Sequence, residues 1–179
     1  MIWPAHMPNI LFLDIDGVLN YTACPWHWDG KKNTNKGKGH GGIYGIDPAK
    51  VELINHIIIT TNCRIVLSST WRLSSDWKDA LRAAGLNLGL VIGVTPNLGL
   101  VDRGHEIKAW LDANSGVERY AIVDDDCDML PGQPLFQTSH YDGINAVIAD
   151  QIIEYLNFGT YAENQALHHR HRTVERPDR

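Results

Sequence analysis

The chain has 179 residues, 44% of them hydrophobic and 21% charged, which is enough apolar material for the core of one compact domain. Its 16 Lys+Arg and 21 Asp+Glu give a formal net charge of −5, so a uniformly basic coat for nucleic acid is excluded and a polyanionic partner would need a local basic patch. The three cysteines are far apart and form no C-x-x-C pair, which argues against a disulfide framework or a zinc ribbon and fits a reducing compartment.

Short apolar runs alternate with amphipathic segments along the chain. Residues 9–15 begin with a continuous apolar run, typical of a strand buried on both faces of a parallel sheet. Further strands are predicted at 64–68, 88–94, 120–123 and 135–138, and helices from Pro48 onward and at 76–84, 103–111 and 143–156. This alternation predicts a doubly wound, Rossmann-like α/β fold, with a parallel sheet and helices on both faces.

Two segments fall outside the alternation. Residues 20–45 are rich in Gly, Lys, Trp and His and nearly free of aliphatic side chains, so we expect a flap or long loop. Residues 161–179 are polar and rich in His and Arg, so we expect a flexible tail. We therefore predict a single domain over 1–160 with the flap inserted at 20–45.

The localisation prediction rests on two absences in the sequence. The first residues lack the basic and apolar regions of a signal peptide, and no window approaches the length of about 18 uninterrupted apolar residues that a membrane span requires. We expect a cytoplasmic protein without a membrane partner.

Polar residues stand where three predicted strands end. Asp14 and Asp16 follow the first strand, residues 68–70 (Ser-Ser-Thr) follow the second, and three consecutive acids, 124–126, follow a later one. Ligands of parallel sheets collect beyond the carboxyl ends of the strands, so these groups are expected to converge. An all-oxygen acidic cluster suits Mg²⁺, although an isolated D-x-D is more often a pair of solvated turn acids.

Four segments occur in a recognisable order: residues 12–20 with Asp-Ile-Asp-Gly, residues 65–70 ending in Ser-Ser-Thr, Lys108, and residues 122–125 ending in Asp-Asp. Together they resemble the four motifs of the haloacid dehalogenase (HAD) superfamily, over roughly residues 9–128. Segments 68–72 and 103–107 make the chain most similar to the small HAD domains of nucleic-acid end-repair proteins, which include polynucleotide phosphatase domains and the Swiss Army Knife RNA repair HAD domain. The flap is too short and loop-like for a large cap, so the resemblance implies a minimal cap or none.

The resemblance implies roles for the acids. Asp14 would be the nucleophile that forms an aspartyl-phosphate, and Asp16 would be the general acid and then the base. Mg²⁺ would be held by the Asp14 carboxylate, the Asp16 main-chain carbonyl, and either Asp124 or Asp125. Asp128 is a candidate outer support.

The second motif has two alignments. The end of the apolar run favours Ser68, whereas aligning Trp71 with the end-repair domains favours Ser69 as the hydroxyl that donates to phosphate. Ser68 and Thr70 are then predicted substrate-binding neighbours.

Basic residues near the site are assigned in the same way. Lys108 would offset the charge of the nucleophile and the transferred group, but it could also be an exposed helix lysine, in which case Arg103 would take its place. Arg72 is predicted to bind a substrate phosphate bidentately. In the flap, four lysines and two tryptophans accompany one aspartate, and Lys31 and Lys32 are predicted to follow a nucleic-acid backbone unless the flap is only a solvated loop.

The sequence thus predicts a Mg²⁺-dependent phosphatase acting on nucleic-acid ends or nucleotides, with the 5′ or 3′ position left open. Three alternatives remain: a small-metabolite phosphatase, a phospho-receiver module, and a nucleic-acid binder without catalysis. A receiver would instead carry adjacent acids after its first strand, whereas Ile15 separates Asp14 from Asp16.

Overall fold

The computed structural model of the chain describes residues 8–24 and 45–159. Within these ranges, the strands are β1 (Ile10–Leu13), β2 (Arg64–Leu67), β3 (Val91–Val94), β4 (Tyr120–Asp124) and β5 (Leu135–Gln137). The helices are α1 (Pro48–Thr61), α2 (Trp77–Ala83), α3 (Arg103–Ala113) and α4 (Ala146–Phe158). Most of the predicted flap, with Lys31 and Lys32, and the predicted tail lie outside the described residues, so the predicted domain boundaries stay predictions.

The five strands form one parallel sheet in the order β3-β2-β1-β4-β5. Leu13 at the end of β1 lies opposite both Leu67 of β2 and Val123 of β4. The first residues beyond these strands therefore lie side by side at one edge of the sheet. Asp14 directly follows β1, and Ser68 directly follows β2. This register produces the convergence that the sequence predicts.

Side chains alternate between two apolar layers. Leu11 and Leu13 pack with the buried residues of α1, α2 and α4, whereas Ile10 and Phe12 pack with those of α3 on the opposite face. The ring of Phe12 meets Trp110 of α3 edge to face, with centroids 5.5 Å apart. The predicted doubly wound α/β fold, with helices on both faces, is confirmed.

Helix boundaries follow local chemistry. Asp47 caps α1, its carboxylate accepting a hydrogen bond from Ala49 N at 2.9 Å. The predicted helix at 143–156 begins only at Ala146, because Asn145 has extended backbone and caps the helix by accepting from Ile148 N at 3.0 Å. Just before this cap, Ile144 N donates to Val18 O at 3.0 Å. That bond ties the segment before α4 to the loop after β1.

The predicted strand at 88–94 is partly wrong. Residues Leu88–Leu90 form a 3-10 turn, and the strand comprises only Val91–Val94. Asn87 caps the turn by accepting from Gly89 N at 3.0 Å, a local side-chain bond that competes with strand pairing.

Within residues 8–24 and 45–159, no helix combines the length and the apolar character needed to cross a bilayer.

Candidate active site

Three carboxylates meet beyond the carboxyl ends of β1 and β4. Asp14, Asp124 and Asp125 each bring one oxygen within 4.8 Å of the others. Asp14 is 3% exposed and Asp124 fully buried. Asp124 Oδ1 accepts from Asp126 N at 3.0 Å, but its buried Oδ2 makes no hydrogen bond. An all-oxygen donor set of three clustered carboxylates fits a hard divalent cation such as Mg²⁺.

The loop after β1 lies directly against Asp125. Gly17 has φ +70°, and a Cβ there would overlap the Asp125 carboxylate. Thr138, just beyond β5, donates its hydroxyl to Gly17 O at 2.7 Å. Glycine is therefore needed both for the left-handed backbone and for the approach of this loop to the acidic cluster.

Arg103, at the start of α3, lies between two of the acids. Its Nη1 is 3.5 Å from Asp14 Oδ1 and its Nε is 3.0 Å from Asp124 Oδ2. These contacts lack hydrogen-bond geometry, so the attraction is that of opposite charges. Asp128 supports the arginine from outside by accepting from Arg103 N at 3.0 Å. Arg103 supplies positive charge beside Asp14, the function that the sequence assigned first to Lys108.

The structure does not bring Lys108 to the cluster. Its Nζ is 2.6 Å from Asp112 and its side chain is 57% exposed. Successive helical residues are rotated by about 100°, so positions 103 and 108 face different sides of α3. The predicted placement of Lys108 beside the nucleophile is corrected to Arg103.

Burial and mutual repulsion raise the pKa of the two buried acids. Burial raises the pKa of Asp14 to about 6, opposed by the charge of Arg103 and a hydrogen bond from Ser69. Burial and the neighbouring Asp14 raise the pKa of Asp124 to about 8. Full ionisation of this pair therefore calls for positive charge beyond that of Arg103.

Asp16 is held separately from the three convergent acids. Trp71 Nε1 lies 3.0 Å from both of its carboxylate oxygens, and Asn20 Nδ2 donates to Oδ1 at 2.7 Å. Asn20 also accepts from Gly17 N at 3.2 Å. These neutral donors fix the Asp16 carboxylate at the cavity wall, where it can exchange a proton with a bound group.

The three hydroxyls after β2 have different surroundings. The Ser69 hydroxyl lies beside the Asp14 carboxylate, where it lowers the pKa of that acid, and it accepts from Trp71 N at 3.3 Å. Thr70 lines the cavity. Ser68 is fully buried and its hydroxyl makes no hydrogen bond. Of the two alignments considered for the second motif, the one with Ser69 brings its hydroxyl to the predicted nucleophile.

The predicted role of Arg72 in binding substrate phosphate is not supported. The side chain is 5% exposed, and its Nη2 lies 2.6 Å from Glu106 Oε2. Its remaining donors bond the carbonyls of Ser69 at 2.7 Å and Thr95 at 3.1 Å. With its donors used inside the protein, Arg72 positions the turn after β2.

The acids line an open cavity of about 520 Å³. Its walls are formed by Asp14, Asp16, Thr70, Arg103, Asp125, Asp126 and His140. Sequence reasoning missed His140, whose Nδ1 lies 2.8 Å from Asp125 Oδ2. Its location directly after a predicted last strand, at the same sheet edge as the acids, was the signal that could have found it.

Comparison with protein families matches residues 10–148 to the family described as the HAD domain in Swiss Army Knife RNA repair proteins. No curated protein and no solved structure matches significantly. The family match extends over more than half of the chain and includes every strand of the sheet and all of the clustered acids. The chain therefore belongs to the HAD domain family of Swiss Army Knife RNA repair proteins.

Proposed function

We propose that this domain is a Mg²⁺-dependent phosphomonoester hydrolase that forms an aspartyl-phosphate on Asp14 and acts on nucleic-acid ends. The observation that carries the proposal is the convergence of Asp14 with two further acids and Arg103 at the wall of an open cavity. A buried carboxylate, a nearby cation and space for a phosphoryl group are the components that such a reaction needs.

In the first half-reaction, an oxygen of Asp14 attacks phosphorus and the bond to the leaving oxygen breaks. Asp14, Asp124 and Asp125 would hold Mg²⁺, which when bound supplies positive charge that lets an anionic nucleophile meet an anionic phosphate. The Ser69 hydroxyl beside Asp14 favours its ionised, nucleophilic form, and Arg103 offsets the charge that accumulates around the carboxylate.

Asp16 moves the proton in both half-reactions. It gives a proton to the leaving alkoxide, and then takes one from the water that attacks the phosphorus of the aspartyl-phosphate. That second attack breaks the bond between Asp14 and phosphorus and releases inorganic phosphate. Trp71 and Asn20 keep the Asp16 carboxylate in place throughout.

The substrate class follows from the family, whose members are RNA repair proteins. The open cavity suits a terminal phosphate on a long chain, and the predicted contacts of Lys31 and Lys32 would bind its backbone. Nucleotides and small metabolites are the competing substrate classes.

The test is a panel of 5′- and 3′-phosphorylated RNA and DNA oligonucleotides, nucleoside monophosphates and sugar phosphates, assayed with Mg²⁺ or EDTA. We expect Mg²⁺-dependent phosphate release that is fastest on oligonucleotides. Asp14→Asn should reduce it on the order of 10⁴-fold or more, as expected for loss of a nucleophile. Asp112→Asn, an exposed acid on α3, is the matched control and should retain activity.

Each alternative gives a distinct result. Preference for sugar phosphates would overturn the substrate class, and unchanged turnover by Asp14→Asn would overturn the mechanism. Stoichiometric phosphorylation of Asp14 without turnover would indicate a receiver module. Oligonucleotide binding without hydrolysis would indicate a binding module.

A further inference from the structure

A rigid turn follows β5 at the rim of the cavity. In this turn, residues 139–143, Gly143 N and Asp142 N donate to Ser139 O at 2.7 and 3.1 Å, and Tyr141 N donates to Ser139 Oγ at 3.2 Å. The loop after β1 fastens the turn from outside through Thr22 N, which donates to His140 O at 3.1 Å. The side chains of the 139–143 turn are therefore carried on a preorganised backbone.

The turn presents two rings in succession. His140 lines the cavity and is held by Asp125 through Nδ1. The next residue, Tyr141, is 61% exposed. Phe158 is the other strongly exposed aromatic residue in the described ranges, but it ends α4 at the opposite edge, where Leu156 O accepts from Arg119. Tyr141, an exposed aromatic residue, thus directly follows in sequence a residue that lines the cavity.

The charges of the cavity determine what kind of contact can help a nucleic-acid end to bind. Its lining contains four aspartates and one arginine, and Asp142 next to Tyr141 is a further exposed acid. A sugar-phosphate backbone at this rim would meet like charge. A nucleobase stacked on an aromatic face gains affinity without such a penalty, because every base has a π-face and carries no charge.

We propose that the 139–143 turn is a stacking platform for the base of the terminal nucleoside, whose phosphate enters the cavity. The proposal rests on the proposed phosphatase function and adds the part of the substrate that is recognised. His140 borders the phosphate position, and Tyr141 extends the aromatic surface outward to the base.

The test compares one phosphorylated oligonucleotide with the same oligonucleotide carrying its phosphate on a terminal abasic residue. The wild type should have a higher kcat/KM on the base-bearing substrate. Tyr141→Ala should reduce the base-bearing to abasic ratio by about 5- to 160-fold, the range for one base stacked on one ring. Tyr141→Phe and Tyr141→Trp should keep the ratio because they keep an aromatic face. The ratio should change little with salt, since stacking releases no counterions.

Phe158→Ala, which removes another strongly exposed ring at the opposite end of the sheet, is the matched control and should leave the ratio unchanged. Thermal unfolding of each variant checks that the fold is retained. Equal rates of the wild type on the two substrates, or a Tyr141→Ala variant with an unchanged ratio, would overturn the platform while leaving the phosphatase intact. Absence of hydrolysis of both oligonucleotides and of β-glycerophosphate would overturn the proposed function, and the platform with it.

Discussion

At the scale of single residues, the site is governed by the arrangement of three buried charges. Asp14 and Asp124 are carboxylates with little access to water, and Arg103 contacts both. One guanidinium leaves the pKa of each acid raised. Arg103 is therefore a partial counter-charge, which leaves room for a divalent cation to complete neutralisation.

The residue-scale prediction contrasts Arg103→Ala with Lys108→Ala. Loss of Arg103 should lower kcat/KM for phosphate release by on the order of 10²- to 10³-fold, because it removes positive charge beside Asp14, the proposed nucleophile. Loss of Lys108 should leave activity near that of the wild type, since its partner is the exposed Asp112. Steady-state kinetics on one phosphorylated oligonucleotide measures both, and a larger loss for Lys108→Ala would contradict the assignment of Arg103.

At the scale of elements, the site depends on loops joined across the sheet edge. Arg72 and Glu106 connect the turn after β2 to α3, and Glu106 Oε1 also accepts from Leu98 N at 3.1 Å, in the loop between β3 and α3. This buried pair holds the turn that carries Ser69 against the helix that carries Arg103. Its contribution is to position both residues.

Breaking this pair should destabilise the domain. Arg72→Ala would leave Glu106 buried without its partner, which typically costs about 3–5 kcal/mol in the free energy of unfolding. Arg82→Ala removes an exposed pair with Asp79 and should cost less than about 1 kcal/mol. Urea unfolding measures the free energy of unfolding of both variants. A similar loss for Arg72→Ala and Arg82→Ala would contradict a stabilising role of the buried Arg72–Glu106 pair.

The loop after β1 supports a second element-scale prediction. Gly17→Ala and Gly85→Ala both place a Cβ on left-handed backbone, but only at Gly17 does that Cβ overlap Asp125. Gly85→Ala should therefore show only the backbone strain, about 1–2 kcal/mol. Gly17→Ala should also displace Asp125.

Isothermal titration with Mg²⁺, together with phosphate release, separates the two effects. Gly17→Ala should weaken Mg²⁺ binding and lower activity at least about tenfold, because a ligand moves out of position. Gly85→Ala should bind Mg²⁺ like the wild type. Normal Mg²⁺ affinity in a folded Gly17→Ala variant would count against Asp125 as a ligand.

At the scale of the whole molecule, the buried acids couple stability to pH and to Mg²⁺. Below the unfolded pKa of about 4, both states carry the protons and the acids impose no penalty. Between that value and the folded pKa values, about 6 for Asp14 and about 8 for Asp124, the unfolded state has already lost protons that the folded state still holds, and above the folded values both states are ionised. Without a divalent cation, the free energy of unfolding should therefore fall with rising pH across this window.

Mg²⁺ reverses this trend because it binds the ionised carboxylates. The rise in Tm produced by Mg²⁺ should be larger at about pH 8.5 than at about pH 5. Asp124→Asn should flatten the pH dependence measured in EDTA and reduce the Mg²⁺ effect. Differential scanning calorimetry over this range is the measurement, and a Mg²⁺ shift that is larger at the lower pH would disprove the linkage.

Much of this architecture is readable from local sequence. Apolar runs of strand length and amphipathic segments of helix length predicted the alternating elements, because burial on a sheet or helix imposes its own period. The positions of the acids directly after predicted strands indicated where they would meet, because the carboxyl ends of parallel strands lie at the same edge of the sheet. The boundaries of β3 and α4 could not be predicted in the same way, because caps and bonds to distant loops set them.

The sequence by itself determined the sheet, the family and the acids at the sheet edge, because these depend on periodicity and on residues adjacent in the chain. Only the tertiary structure decided which basic group meets Asp14 and why Arg72 lies buried against Glu106. Those outcomes depend on which face α3 turns towards the sheet and on contacts between residues far apart in sequence. Tertiary packing sets the orientation of α3 and these contacts, and no local sequence pattern encodes either.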